Sequence, residues 1–168
     1  AELVARVVIS GGTSTAAADI VMSSADSDAA VTIFRVPNYT YITDVGWRVR
    51  TAFDAAVDIT IGDCDDADGW AQVDHVGATT ADTNIIWSSR QHVDDVKAFA
   101  ESGDTTAALS SEPAYAGGKL IGLDTTLDDD FAITYTTANI AGLTVGLLDV
   151  YVKYVPGWER QRNLKSAV

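Results

Sequence analysis

The alternation of side chains between residues 45 and 61 constrains the fold more than any other feature of this chain. Two sets of side chains alternate over the nine residues 45–53, one mostly apolar (Val45, Trp47, Val49, Thr51, Phe53) and one polar or small (Gly46, Arg48, Arg50, Ala52). A period of two is typical of a half-buried antiparallel strand. Residues 54–56 offer a turn, and residues 57–61 resume the alternation with Val57, Ile59 and Ile61. The pattern predicts a long β-hairpin.

Other segments carry the same kind of signal, and composition agrees with them. Strands are predicted at residues 3–10, 31–36, 119–123, 131–136 and 143–155, with shorter ones at 72–76 and 84–87. The chain contains 20 Asp against four Glu, and Asp favours turns whereas Glu favours helices. A length of 168 residues is typical of one domain. We therefore predict an all-β fold, an antiparallel β-sandwich of eight or so strands, most simply jelly-roll-like.

The predicted domain has an irregular middle and a distinct end. Residues 70–111 lack a regular pattern, although 94–100 could form one or two helical turns. The last strand is the strongest, and its core-facing set is predicted to be Gly146, Leu148, Val150, Val152 and Tyr154. Pro156 and Gly157 should end that strand. We predict a sandwich domain over residues 1–155 and a C-terminal arm over residues 156–168.

The net charge, the cysteine content and the hydropathy of the sequence each make certain properties of this protein unlikely to be found. The formal net charge of −13 repels phosphate backbones, so we expect no direct binding of nucleic acid. The single Cys64 cannot form an internal disulfide. The sequence contains no run of 18 apolar residues, so no membrane span is predicted. The first residues show no signal-peptide pattern.

An acidic loop invites a calcium hypothesis. Asp63, Asp65, Asp66 and Asp68 could supply several of the six to eight oxygens that Ca²⁺ prefers. The spacing does not fit an EF-hand, whether it starts at Asp63 or at Cys64. The alternatives are a different kind of calcium site or a solvated loop of Asx turns. We expect no cofactor, and these four residues are the weak candidates for a metal site.

Catalytic patterns are hard to find in this sequence. A serine hydrolase would need His75 or His92 beside a nucleophile, and the chain contains no Gly-x-Ser-x-Gly elbow. Acidic neighbours disfavour the thiolate of Cys64, and the His and Cys residues are too few for zinc. We therefore expect that this protein is not an enzyme.

Basic and aromatic residues point instead to contacts with other proteins. The arm carries Trp158, Arg160, Arg162 and Lys165 on an otherwise acidic chain. It is either a frayed end or an arm that reaches a neighbouring subunit, and aromatic and Arg residues are enriched at interfaces. Arg48 and Arg50, on the polar face of their strand, either pair with acids on the surface or face a neighbouring subunit.

The order and spacing of several segments resemble the decoration, or cement, proteins of tailed-bacteriophage capsids. In the first half these segments are residues 35–37, 42–45, 51–54, 59–63 and 66–69. In the second half they are residues 118–121, 131–135, 142–146 and 150–154. Together they cover about half of the chain.

The resemblance implies a viral structural protein without a reactive site. It implies a small β-sandwich, commonly a homotrimer, that is made in the host cytoplasm and located on the capsid exterior. There it would bind the major capsid protein and stabilise the contacts between capsomers. Many weak contacts per oligomer would together give strong attachment.

Two other function classes remain open at this point. One is a carbohydrate-binding or receptor-binding β-sandwich module of a virion or cell surface, with Trp70, Trp87 or Tyr115 as exposed platforms and calcium from the Asp63 loop. The other is a jelly-roll glycoside hydrolase, which needs two opposed carboxylates in a cleft.

Overall fold

The computed structural model confirms an all-β fold. It describes residues 1–12, 18–22, 30–36, 40–54, 58–63, 69–73, 84–88, 118–120, 131–138 and 143–156. The helical turns predicted at 94–100, the irregular middle other than 70–73 and 84–88, and the arm beyond Pro156 lie outside these residues. The division at residue 155 therefore stays a prediction. In the part of the chain described here, no helix is long and apolar enough to cross a bilayer.

Ten strands form two sheets in the described ranges. The first sheet contains β1 (Leu3–Gly11), β2 (Ile20–Met22), β4 (Tyr41–Thr51), β7 (Ile86–Trp87), β8 (Lys119–Leu120) and β10 (Leu147–Val155). Its order is β2-β1-β10-β4-β7, and β8 also pairs with β4. The second sheet contains β3 (Val31–Val36), β5 (Asp58–Asp63), β6 (Ala71–Val73) and β9 (Phe131–Ala138) in the order β3-β9-β5-β6.

The hairpin predicted between residues 45 and 61 is wrong, although both of its strands exist. β4 pairs with β10, β7 and β8 in the first sheet, whereas β5 pairs with β9 and β6 in the second. Alternation alone cannot separate the two cases, because strands in different sheets that contribute to one core show the same period as strands of one hairpin. The chain instead passes between the sheets after Asp54.

Strand direction follows the prediction with one difference. Among the described strand pairs, β1 with β2 is parallel and the others are antiparallel. β2 lies at one end of the first sheet, so a short parallel strand covers the side of β1 that does not face β10. The sandwich arrangement and its jelly-roll connectivity stay predictions.

One hydrophobic core takes side chains from both sheets. Its largest fully buried members are Trp47, Trp70 and Phe53. The predicted inward sets are confirmed for Val45, Trp47, Val49 and Phe53, and for Leu148, Val150 and Val152 in β10, which are all buried. Tyr154 is half-buried and packs against the same cluster. Each fully buried side chain of this size contributes about 1.5–3 kcal/mol, so the core stabilises the fold through both sheets.

Candidate functional site

Register places a set of charged and aromatic residues on the side of the first sheet that faces away from the core. In β10, the residues that alternate with the core set are Asp149, Tyr151 and Lys153. Asp149 lies opposite Arg48, Tyr151 lies between Gly46 and Arg6, and Gly46 lies opposite Trp87. Directly opposed residues point to the same side of a sheet. We call this side, with Arg6, Arg48, Arg50, Trp87, Tyr151 and Lys153, the outer face.

A buried carboxylate lies at the centre of the outer face. Asp149 is fully buried, and its Oδ2 accepts a 2.9 Å hydrogen bond from Nη2 of Arg48. Nη2 of Arg50 lies 3.3 Å from Oδ1 of the same carboxylate. Nη2 of Arg48 also lies 3.4 Å from the hydroxyl of Tyr151. A buried charge is tolerated when it is paired, as this carboxylate is with two guanidinium groups.

Arg48 and Arg50 are therefore brought together by the fold. Of the two alternatives left by the sequence, the structure shows pairing with an acid of the same chain, but that acid is buried. Their side chains remain 29% and 38% exposed. Pairing with Asp149 orients both guanidinium groups and leaves surface for a partner, so their interface role stays a prediction.

Trp87 lies over the backbone of Gly46. A Cβ atom on Gly46 would be 2.6 Å from Cε3 of Trp87, so the ring can approach this closely because residue 46 has no side chain. Nζ of Lys153 lies 3.9 Å from the centroid of the Trp87 ring, a cation–π distance. The rings of Trp87 and Tyr151 are 6.3 Å apart and tilted by 54°. The outer face thus combines ordered rings with cations.

The calcium candidates divide between described and undescribed residues. Asp63 is buried, and its Oδ2 accepts a 2.9 Å hydrogen bond from Nζ of Lys119, which links the two sheets. This ammonium already neutralises the carboxylate, and a cation would have to displace it. Asp65, Asp66 and Asp68 lie outside the described residues. Among the described residues, no three His, Cys, Asp or Glu side chains are grouped to hold a metal ion.

Asp54 joins the end of β4 to the residues that precede β10. Its carboxylate accepts hydrogen bonds from the Thr144 hydroxyl, from the Thr144 backbone N–H at 2.9 Å and from the Val145 backbone N–H at 3.0 Å. These donors, the hydroxyl first, lower the pKa of Asp54 from 3.8 to about 2. The group stays ionised at neutral pH and acts as a structural link between strands.

An apolar groove opens where the core-facing sides of β1 and β10 meet β3. It has a volume of about 340 Å³, and its lining residues are Leu3, Ala5, Phe34, Arg35, Val36, Val152, Tyr154 and Pro156. Leu3 is 45% exposed although it lies on the core-facing side of β1. Exposed apolar surface of this kind is typical of contact sites. Pro156 lines the groove, so the predicted arm begins there.

Sequence reasoning found part of this surface and missed the rest. Trp158, Arg160, Arg162 and Lys165 lie outside the described residues, so their role stays a prediction. Arg6, Lys153 and the buried Asp149 were missed, since cross-strand register was needed to place them beside Arg48. The groove was also missed, because its lining comes from strands that are far apart in the sequence.

The aromatic platforms predicted for carbohydrate binding have different positions in the structure. Trp70 is fully buried in the core, so that part of the prediction is wrong. Trp87 is half-buried, with its ring against Gly46 and Lys153. Tyr115 lies outside the described residues.

Comparison with known proteins gives little further information. No family model matches the chain, and no curated protein matches it. A chain of a solved structure, the cyanophage Pam1 capsid asymmetric unit, is similar at 15% sequence identity with a TM-score of 0.48. The similarity covers 92% of this chain and 84% of that chain.

Proposed function

We propose that this protein is a structural component of a tailed-phage virion. In this proposal it is made in the host cytoplasm, binds the outer surface of the capsid as a homotrimer, and stabilises contacts between capsomers of the major capsid protein. One observation carries the proposal: segments that resemble capsid decoration proteins coincide with parts of β3, β4, β5, β8, β9 and β10. These strands include the central strands of both sheets.

The charged groups with identified partners support a structural role. Asp149, Asp63 and Asp54 each join segments that are far apart in the sequence. The side chains of Asp149 and Asp63 are fully buried, and each forms an ion pair that joins two strands. A protein that must persist as a rigid building block needs such links, because isolated strand pairs are marginally stable.

The groove supplies a contact surface of suitable chemistry. Its lining is apolar apart from Arg35 and the tyrosine hydroxyl, whereas a sugar site needs several convergent polar groups. A protein side chain therefore fits the groove better than a glycan does. Attachment through a groove and an arm on each of three subunits would multiply weak contacts into stable binding.

The proposal is tested by adding purified protein to expanded phage capsids that lack their decoration protein. We expect the wild type to co-sediment with these particles at saturable occupancy and to raise their temperature of disassembly. Deletion of residues 157–168, which keeps Pro156 at the groove, should leave the β-rich circular dichroism spectrum unchanged and lower the occupancy.

A matched pair of variants tests the groove in the same experiment. Leu3→Asp places a charge in the groove, whereas Leu120→Asp places one at an equally exposed apolar residue outside it, since both are 45% exposed. We expect the first to lower occupancy and the second to leave it near the wild-type value. A folded wild-type protein that binds no capsid, but binds a defined glycan on an array, would replace the proposal with the carbohydrate-binding alternative.

A further inference from the structure

We infer that the arm folds back onto its own chain in the free protein and places the side chain of Trp158 in the apolar groove. The inference concerns the protein before it meets a partner and does not depend on capsid binding. It rests on the position at which the arm begins, on the chemistry of the groove, and on the charge of the arm.

The arm begins at the groove. Pro156 directly follows β10 and lines the groove, and Trp158 is the second residue after it. Two residues span at most about 7 Å. Trp158 therefore stays close to the groove of its own chain, whatever path the later residues of the arm take.

The chemistry of the groove matches the start of the arm. The volume of about 340 Å³ suits one large side chain, and the lining is apolar apart from Arg35 and the hydroxyl of Tyr154. Arg35 is exposed, and its guanidinium forms no ion pair with the residues that the structure describes. Glu159, the one acidic residue of the arm, directly follows Trp158. An aromatic residue followed by an acid thus meets an apolar surface that carries one cation.

The edge of β1 beside the groove is also uncovered. Val8 exchanges backbone hydrogen bonds with Asp19 on the side of β1 that faces away from β10. By the alternation of an antiparallel pair, the backbone groups of Val4 and Arg6 point to the same side. Within the described ranges these groups form no hydrogen bond, since β2 pairs only with residues 9–11. An extended segment that crosses the groove can pair with this edge.

The same chain is a better source of the arm than a second copy is. Two copies that each have a net charge of −13 repel one another. The arm carries three basic residues and one acid, so it is attracted to the acidic remainder of its own chain. A short connection also gives the arm an effective concentration in the millimolar range. The exposed apolar surface at Leu3 is then covered in the free protein, and a partner that uses the groove first has to displace the arm.

Disulfide trapping tests the inference and separates the two sources of the arm. In a Cys64→Ser background, Arg160→Cys is combined with Leu3→Cys in the groove or with Leu120→Cys outside it. Both leucines are 45% exposed, and the register places both within about 10 Å of the end of β10. An undocked arm would reach both positions, so this pair of variants separates docking from simple proximity.

We expect oxidised glutathione to produce a disulfide within one chain, at least about tenfold faster for the Leu3 pair than for the Leu120 pair. Adding Trp158→Ala should lower the rate of the Leu3 pair to that of the Leu120 pair. Equal rates for the two pairs, an unchanged rate after Trp158→Ala, or disulfides mainly between chains would each overturn the inference.

A second measurement needs no engineered cysteine. The quenching of Trp158 by acrylamide is the difference between the wild type and Trp158→Phe. We expect Leu3→Asp to increase this quenching, whereas Leu120→Asp leaves it unchanged, and equal effects would contradict docking in the groove. Capsid binding without these signs of docking would contradict only this inference. Docking without capsid binding would contradict only the proposed function.

Discussion

Arg48 donates a 2.9 Å hydrogen bond to the fully buried carboxylate of Asp149, which lies 101 residues further along the chain. The pair joins β4 to β10, neighbouring strands of the first sheet. Arg50 adds a second cation to the same carboxylate at 3.3 Å. One buried acid therefore links two neighbouring strands through two arginines.

Removing that acid should be costly. We expect Asp149→Ala to lower the free energy of unfolding by about 1.5–3 kcal/mol, because the two guanidinium groups lose their charged partner but stay partly exposed to water. The measurement is urea unfolding at neutral pH. Arg50→Ala removes the more exposed partner and should cost about 1 kcal/mol or less. Equal costs for the two variants would contradict the central position of Asp149.

Truncation of Trp47, one of the two buried tryptophans of the described core, tests the register of β4. Trp47 is 1% exposed and lies in the cluster shared by both sheets. We expect Trp47→Ala to destabilise the protein by about 3–5 kcal/mol, as large aromatic deletions in cores do. Val21→Ala in β2, at a side chain that is 56% exposed, serves as the control and should change stability by about 0.5 kcal/mol. A cost below about 1 kcal/mol for Trp47→Ala would show that the strand is shifted by one residue.

Gly46 should resist substitution because of Trp87. A methyl group there would lie 2.6 Å from Cε3 of Trp87 and 2.9 Å from Cγ2 of Ile85. We expect Gly46→Ala to cost about 1–3 kcal/mol and to shift the fluorescence of Trp87 as its ring moves. In a Trp87→Ala background the same substitution should cost less, since the nearer clash is gone. Additive costs in this double-mutant cycle would be inconsistent with the close contact.

Acid should weaken the link between Asp54 and Thr144. Their hydrogen bonds lower the pKa of Asp54 to about 2 in the folded protein, from 3.8. The stabilisation is therefore fully present above about pH 4 and is lost as the pH falls through about 2. Urea midpoints of the wild type and Asp54→Asn should differ most near neutral pH and converge toward pH 2. A difference that stays constant from about pH 5 to pH 2 would contradict this link.

The alternation of side chains was enough to predict most strands and their buried faces. Val45, Trp47 and Val49 face the core as predicted, and so do Leu148 and Val150 in β10. The pattern succeeded because burial on one side of a strand imposes a period of two regardless of which strand lies beside it. For the same reason it gave no information on partners, and the hairpin predicted between residues 45 and 61 does not form.

The candidate site was harder to predict from the sequence than the strands were, because it depends on which strands lie side by side. Arg48 and Arg50 could be selected from the sequence because two cations on the polar side of one strand are visible there. Their shared partner Asp149 could not, since an acid 101 residues away gives no local signal until β4 and β10 are placed side by side. Trp70 was predicted to be an exposed platform, but its side chain is buried in the core. The identity of an aromatic residue does not show whether its side chain is buried.

By itself, the sequence determined where most strands lie, which side of the strongest strands is apolar, and how negative the molecule is, because these properties are local or additive. Tertiary structure alone decided which strands pair, that one buried carboxylate orders two arginines, and that Leu3 remains accessible beside Pro156. Those properties depend on distances between residues far apart in the chain, and such distances are fixed when the two sheets contribute to one core.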